Sequence, residues 1–135
     1  MDHASELAER TGEGDAYGLW FGPTNVGIWR LHDAVEVGDY ARAAAVAEDL
    51  NPREHPSRER QAAYWSNYGR ALARVRGRQD DAVLALRRSE MLYATRMQHD
   101  PFVRDVLGEL VVRWRRDTPI GRELRGMAYR AGLPM

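Results

Sequence analysis

Two short stretches decide how this chain folds: Gly38-Asp39-Tyr40-Ala41-Arg42-Ala43 and, 39 residues later, Gly77-Arg78-Gln79-Asp80-Asp81-Ala82. Each places a glycine where one helical pattern stops and another begins, and each has an alanine five positions after that glycine. The glycine supplies the left-handed backbone that closes a helix. The alanine sits where two antiparallel helices joined by a tight turn come closest, and a larger side chain would hold them apart. The same shift of 39 sets Trp29 on Tyr68, Ala34 on Ala73 and Ala47 on Leu86. Self-similarity at a fixed offset is the mark of stacked repeats.

Working outward, helical periodicity accounts for most of the chain. Phe21-Gly22-Pro23-Thr24-Asn25-Val26 opens a helix over about 25–37, with Thr24 as the expected N-cap. A second helix over about 40–50 closes at Asn51-Pro52, and Ser57 caps a third over about 58–75. A fourth covers about 79–95. Asp100-Pro101, a cap followed by proline at the favoured first position, starts a fifth. Its apolar residues Phe102, Val103, Val106, Leu107, Leu110, Val111 and Trp114 follow the i, i+3, i+4 rule. Asp117-Thr118-Pro119 begins a last helix that Gly132 ends. Ala4, Leu7 and Ala8 form a short N-terminal stripe, the second half of a helical pair lacking its first. No stretch alternates with the period of a strand. The expectation is therefore all-α, with antiparallel hairpins stacked as a short solenoid of about six helices in one domain, residues 1–135.

Composition narrows the function. Of 135 residues, 44% are hydrophobic and 30% charged, an ordinary globular balance. No apolar run is long enough for a membrane span, and the acidic start, Met1-Asp2-His3-Ala4-Ser5-Glu6, does not resemble a signal peptide. The absence of cysteine rules out disulfides and thiolate chemistry and fits a cytoplasmic chain. All 20 basic residues are arginine. Residues 1–51 carry ten acids against three Arg, and residues 52–135 carry 17 Arg against ten acids. Acids interrupt the arginines throughout, so this is not the footprint of a nucleic-acid binder. No Gly-x-Ser-x-Gly, phosphate-binding loop or paired helical histidines occur, so neither an enzyme, a cofactor nor a metal is expected.

Residues 38–43 resemble the turn of a tetratricopeptide repeat, Gly-Asp-Tyr followed by Ala; residues 77–82 match it more loosely. The hexapeptide 21–26 is more specific. Together with Val37-Gly38-Asp39-Tyr40, Arg60, Arg70-Ala71, Glu90, Glu123-Leu124-Arg125 and Arg130-Ala131-Gly132, it resembles the C-terminal tetratricopeptide-like regions of actinobacterial helix-turn-helix regulators of the Xre (Cro/repressor-like) family. The resemblance spans about residues 4–133. It departs from that family in having Asn67 where an acidic residue is expected, and in having no room for the DNA-binding helices. It implies the sensing or assembly half of a transcriptional regulator, as a fragment or a short relative, with no direct nucleic-acid binding by this segment.

In tetratricopeptide-like folds the first helix of each hairpin lines the concave face. The resemblance would put Asn25, Ile28 and His32 there from one repeat, and Tyr64, Asn67 and Arg74 from the next. Polar groups among apolar ones suit a small molecule or short peptide. Each has a plainer reading: Asn25 as a helix cap, Asn67 on a backbone group, His32 as a packed histidine. The alternative partner is a second copy of the chain, joined through helix 101–116 and the opposed charges of the two halves. A face of mutually hydrogen-bonded side chains would favour that alternative, and unpaired polar atoms would favour a ligand. The tryptophans are expected mostly in the core.

Overall fold

The computed structural model describes residues 22–113 and 117–134. Among them lie seven helices and no strand: α1 (Pro23–Glu36), α2 (Tyr40–Glu48), α3 (Arg58–Leu72), α4 (Gln79–Leu92), α5 (Ala94–His99), α6 (Pro101–Arg113) and α7 (Pro119–Arg130), with a 3-10 turn at Pro52–Glu54. The N-terminal stripe at 4–8, the aromatic run 17–21 and Trp114 fall outside the described residues. The all-α helical-repeat architecture expected from the sequence is what forms. α1 packs antiparallel on α2, α3 on α4 and α6 on α7; α3 also contacts α1 and α2, and α4 contacts α7.

The turn glycines act as expected. Gly38 and Gly77 have φ of +79° and +80°, and Gly132 has +73°. After α1, Gly38 N–H donates to the Val35 carbonyl and Asp39 N–H to the Ala34 carbonyl, which satisfies two orphan acceptors of the helix end. Ala43 and Ala82, five residues past their glycines, are both fully buried. The pair Ala47 and Leu86 is fully buried as well. The offset fails in the first helices of the two hairpins. Trp29 is largely exposed, whereas Tyr68 is half-buried with its hydroxyl donating to Glu48 at 2.8 Å. The cause is the chain after α3. Residues 73–77 add tight turns there, with Arg74 and Val75 N–H donating to the Ala71 and Leu72 carbonyls, before Gly77 is reached. The extra residues that stretch the spacing to 39 sit in this tail.

Four of the seven helices start at a side-chain cap. Ser57, Asp100 and Thr118 each accept backbone N–H bonds from the first turn, at 3.2 Å from Arg60, 2.9 Å from Phe102 and 3.0 Å from Gly121. Thr24 does not cap α1. Proline fits the first helical position, where its missing N–H costs nothing, so Pro23 takes that place and the cap moves back to Gly22. Thr24 is instead buried, its hydroxyl donating to Glu54 at 3.2 Å. The fourth helix also ends earlier than its pattern suggested. Tyr93 is extended (φ −157°, ψ 86°) and separates α4 from the six-residue α5, whose Met97 is fully buried.

Two apolar clusters meet at α3. Ile28, Leu31, Ala43, Ala47, Ala63 and Ala71 fill the space among α1, α2 and α3. Leu72, Ala82, Val83, Leu86, Met97, Leu107, Leu124 and Met127 fill that among α3 to α7. Trp65 and Tyr68 touch both clusters. α3 is thus the shared wall, and at Gly69 it approaches α4 closely enough that an added Cβ would lie 2.7 Å from Leu86 Cγ. No helix among the described residues is long and apolar enough to cross a membrane.

Candidate functional site

One face of the stack is polar where a sealed core face would be apolar. Residues i, i+4, i+7 and i+11 of a helix share a side, and on α1 these are Asn25, Trp29, His32 and Glu36. From α3, Arg60, Asn67 and Arg70 face this side, and Arg74 joins them just past the end of the helix. α5 and α6 bring Arg96, Asp100, Phe102 and Glu109 to meet it.

The contacts run from helix to helix. Arg60 reaches from α3 to α1, with Nε donating to Asn25 Oδ1 at 3.2 Å and its guanidinium 4.7 Å from the Trp29 ring centroid. Trp29 stacks edge-on with His32 at 5.8 Å. His32 Nε2 lies 3.6 Å from Glu36 Oε1, and Glu36 accepts from Arg70 Nη2 at 3.2 Å. Arg70 also donates to Asn67 Oδ1 at 3.1 Å, and its guanidinium lies 5.1 Å from the Phe102 ring centroid. Arg74 pairs with Glu109 at 2.9 Å and sits over Tyr40. Arg96 Nε donates to Ser66 Oγ at 3.0 Å, with Asp100 at 4.0 Å.

Of the six residues expected on a groove, four belong to this face and two do not. Asn25, His32 and Arg74 lie on it with partial exposure; Asn67 is buried beneath it, bonded to Arg70. Ile28 is fully buried and belongs to the α1–α3 core. Tyr64 is buried too, its hydroxyl donating to the Ala47 carbonyl at 2.6 Å. Burial pushes the Tyr64 phenol up to about 12. Both were expected to point outward because the resemblance puts the first helix of each hairpin on the concave face, whereas these two side chains lie on the side of their helices that packs into the core.

Several members of the face were missed. Trp29 is 47% exposed and Phe102 53%, so neither is core. Trp29 could have been found, since it falls between Asn25 and His32 on their stripe. Phe102 fitted the apolar period of α6, but its ring lies against the Arg70 guanidinium of α3 while its neighbour Val103 takes the core position. Arg60 and Arg70 were noted only as parts of a resemblance.

Most of the polar groups satisfy one another, but three buried atoms on this face have no hydrogen-bond partner among the described residues: His32 Nδ1, Arg60 Nη2 and Arg70 Nε. Burial and the nearby Arg96 charge both lower the Arg60 pKa. Guanidinium groups stay protonated at neutral pH, so they hold ligands through directed donors rather than accept protons. Among the described residues no group of three or more His, Asp or Glu could hold a metal. A cavity of about 300 Å³ adjoins the α6 end of the face, lined by Ala73, Gln79, Glu109, Leu110 and Arg113. On the opposite side of α3, cavities of about 320 and 330 Å³ flank Trp65, over which Arg88 stacks.

No family model, curated protein or solved structure matches the chain.

Proposed function

We propose that this domain is the sensing part of a transcriptional regulator of the Xre kind, acting in the cytoplasm by binding a small molecule or short peptide on the face formed by α1, α3 and α6. The observation that carries the reading is the pair of exposed rings, Trp29 and Phe102, each backed by an arginine of α3. Apolar area beside oriented donors is what a ligand site needs: the rings give affinity and the guanidinium and amide groups fix orientation. The sequence resemblance supports it, since Asn25 with Arg60, and Glu90 with Arg130, are residues of that pattern and meet across the fold at 3.2 and 2.8 Å. A ligand spanning α1 and α6 would favour one spacing of the hairpins over another, and that difference in affinity is what would bias an attached DNA-binding half. The role is binding, not catalysis.

The test is a thermal-shift screen of small molecules and short peptides on the full chain. Hits should lose their stabilising effect in Trp29→Ala and Phe102→Ala and keep it in Tyr129→Ala, which alters an exposed ring of α7. Hits unaffected by the first two substitutions would refute the assignment of the face.

The second reading, a dimerisation module with no small ligand, draws on the mutually bonded Arg70, Asn67 and Glu36 and on the exposed Val112 of α6. Light scattering with size-exclusion chromatography separates the two: a dimer that Phe102→Glu converts to a folded monomer would place a second copy on this face.

A further inference from the structure

We propose that the outer side of the α3–α4 hairpin, across α3 from the ligand face, is a docking groove for an extended segment of a partner protein that carries an acidic residue two positions from an apolar one. The occupant is distinct from the effector, and the groove stands whether or not the ligand face does.

Helical spacing builds the groove. Gln61, Trp65, Tyr68 and Leu72 stand at i, i+4, i+7 and i+11 of α3, and Leu84, Arg88 and Leu92 at i, i+4 and i+8 of α4. These stripes line the cavities of about 320 and 330 Å³, which share Trp65 and Arg88 as a common wall. The wall is held in place. Arg88 lies 5.2 Å from the Trp65 ring centroid, Tyr64 meets the indole edge-on at 5.0 Å, and the Tyr68 hydroxyl is tied to Glu48 at 2.8 Å. A preformed wall loses little freedom when a partner binds, so its area counts toward affinity.

The two cavities differ in chemistry, and the difference defines the occupant. Trp65, Tyr68, Leu72, Leu84 and Ala85 line the first, where Arg78 is neutralised by Asp81 at 2.6 Å. Leu84 is 50% exposed there, apolar area that the described fold leaves uncovered. The second is lined by Arg53 and Arg88 and by no acid. Arg58 stands beside it, its Nε donating at 3.3 Å to the carbonyl of Leu92, which lines the same cavity. Among the described residues none of these three arginines has a carboxylate partner, whereas Arg70, Arg74, Arg78, Arg87 and Arg130 each have one. Arg53 and Arg88 are exposed, so their donors are open to a carboxylate, and the positive charge gathered at one cavity is complementary to it.

An extended chain places residues i and i+2 on one side, about 7 Å apart. One acidic and one apolar side chain can therefore straddle the Trp65 ring, each in its own cavity. A free anion would use only the arginine end and leave the apolar cavity empty. Nucleic acid is disfavoured because Asp81 lies on the groove, where it repels a continuous run of phosphates.

The experiment follows the Trp65 indole and Arg88 Nε–Hε resonances of the full chain during titration with two synthetic peptides, Gly-Ser-Glu-Ser-Leu-Ser-Gly and Gly-Ser-Leu-Ser-Glu-Ser-Gly, whose opposite orders cover both chain directions. Saturable shifts with one of them support the groove, and replacing its Glu by Gln should weaken binding about tenfold. Arg88→Gln should weaken it about as much, and Leu84→Ser about threefold or more. Both positions are exposed, and an otherwise unchanged amide spectrum confirms that each variant folds. Trp29→Ala, on the other face, should leave the peptide affinity unchanged. No saturable shift with either peptide, equal affinity for the Glu and Gln peptides, unchanged binding in either groove variant, or binding lost in Trp29→Ala overturns the proposal. Tighter binding of an oligothymidine at the same resonances overturns it too, as does a Trp65 shift produced by raising the protein concentration alone, which would place a second copy of the chain there.

Discussion

Gly69→Ala measures how tightly the central hairpin is closed. In an exposed helix interior this substitution stabilises by about 1 kcal/mol, because alanine loses less backbone freedom on folding. Here the new methyl would lie 2.7 and 2.9 Å from Leu86 Cγ and Cδ2 and 3.2 Å from the Ala82 carbonyl oxygen. Leu86 is fully buried and the carbonyl belongs to the α4 backbone, so neither can swing away. Overpacking of this kind costs about 1–3 kcal/mol and more where backbone must move. The steric term wins, giving a net loss of about 1–2 kcal/mol, or roughly 4 °C in Tm per kcal/mol for a domain of this size. Gly108→Ala is the matched control, since an added Cβ there meets nothing within 4 Å, and it should stabilise by roughly 0.5–1 kcal/mol. Leu86→Ala alone should cost about 2–5 kcal/mol. In the double variant Gly69→Ala/Leu86→Ala the new methyl occupies part of the void, so the combined loss should fall short of the sum by about 1 kcal/mol or more. Urea unfolding of the four variants reads all of this. A Gly69→Ala midpoint raised as much as that of Gly108→Ala would show that α3 and α4 are not in contact at this point.

Tyr64→Phe removes the bond to the Ala47 carbonyl and should cost roughly 1 kcal/mol at neutral pH by urea unfolding. The Tyr64 phenol is raised to about 12, so the unfolded chain releases this proton first. The contribution of Tyr64 is therefore complete below pH 10 and declines between pH 10 and about 12, a slope that Tyr64→Phe should lack. His55 is buried, and its Nδ1 accepts the Ser57 N–H at 3.0 Å, which requires that nitrogen unprotonated. Burial, then Arg60, lowers its pKa. Below about pH 6.5 the unfolded state takes up the proton first, so stability should fall as pH drops from 7 to 5. His55→Asn, which keeps an acceptor in place, should flatten that fall when melting is followed across pH. The Glu90 side chain is only 5% exposed and receives Arg87 at 2.7 Å and Arg130 at 2.8 Å. Glu90→Gln should cost roughly 1–2 kcal/mol in urea unfolding, less than a fully buried pair because both arginines remain a third or more exposed.

What the sequence made legible follows from how local each signal is. Gly38, Gly77 and Gly132 announce themselves because positive φ is a property of one residue, and Ser57 and Asp100 because a cap involves only the next three. Ala43 and Ala82 could be read because closeness near a tight turn is forced by the turn itself. The break at Tyr93 was not legible, since neither glycine nor proline marks it and the burial of Met97 that accompanies it is decided by α6. Placing Thr24 as the cap undervalued how well Pro23 suits the first position. Ile28 and Tyr64 were misplaced for a single reason: the resemblance assigns a whole helix to the concave face, whereas one side of each helix, carrying Ile28 and Tyr64, is turned into the α1–α3 core. Trp29 and Phe102 went the other way, because large aromatic residues at helical spacing are ordinarily buried and only the tertiary arrangement leaves these two at the surface.

The most direct test of the account is a crystal structure of the full chain with the compound that gives the largest thermal shift. The account places that compound between α1, α3 and α6, in contact with Trp29 and Phe102 and within hydrogen-bond distance of an α3 arginine. A compound bound instead beside Trp65 and Arg88 on the other side of α3, or a second copy of the chain seated on the face in its place, would contradict it.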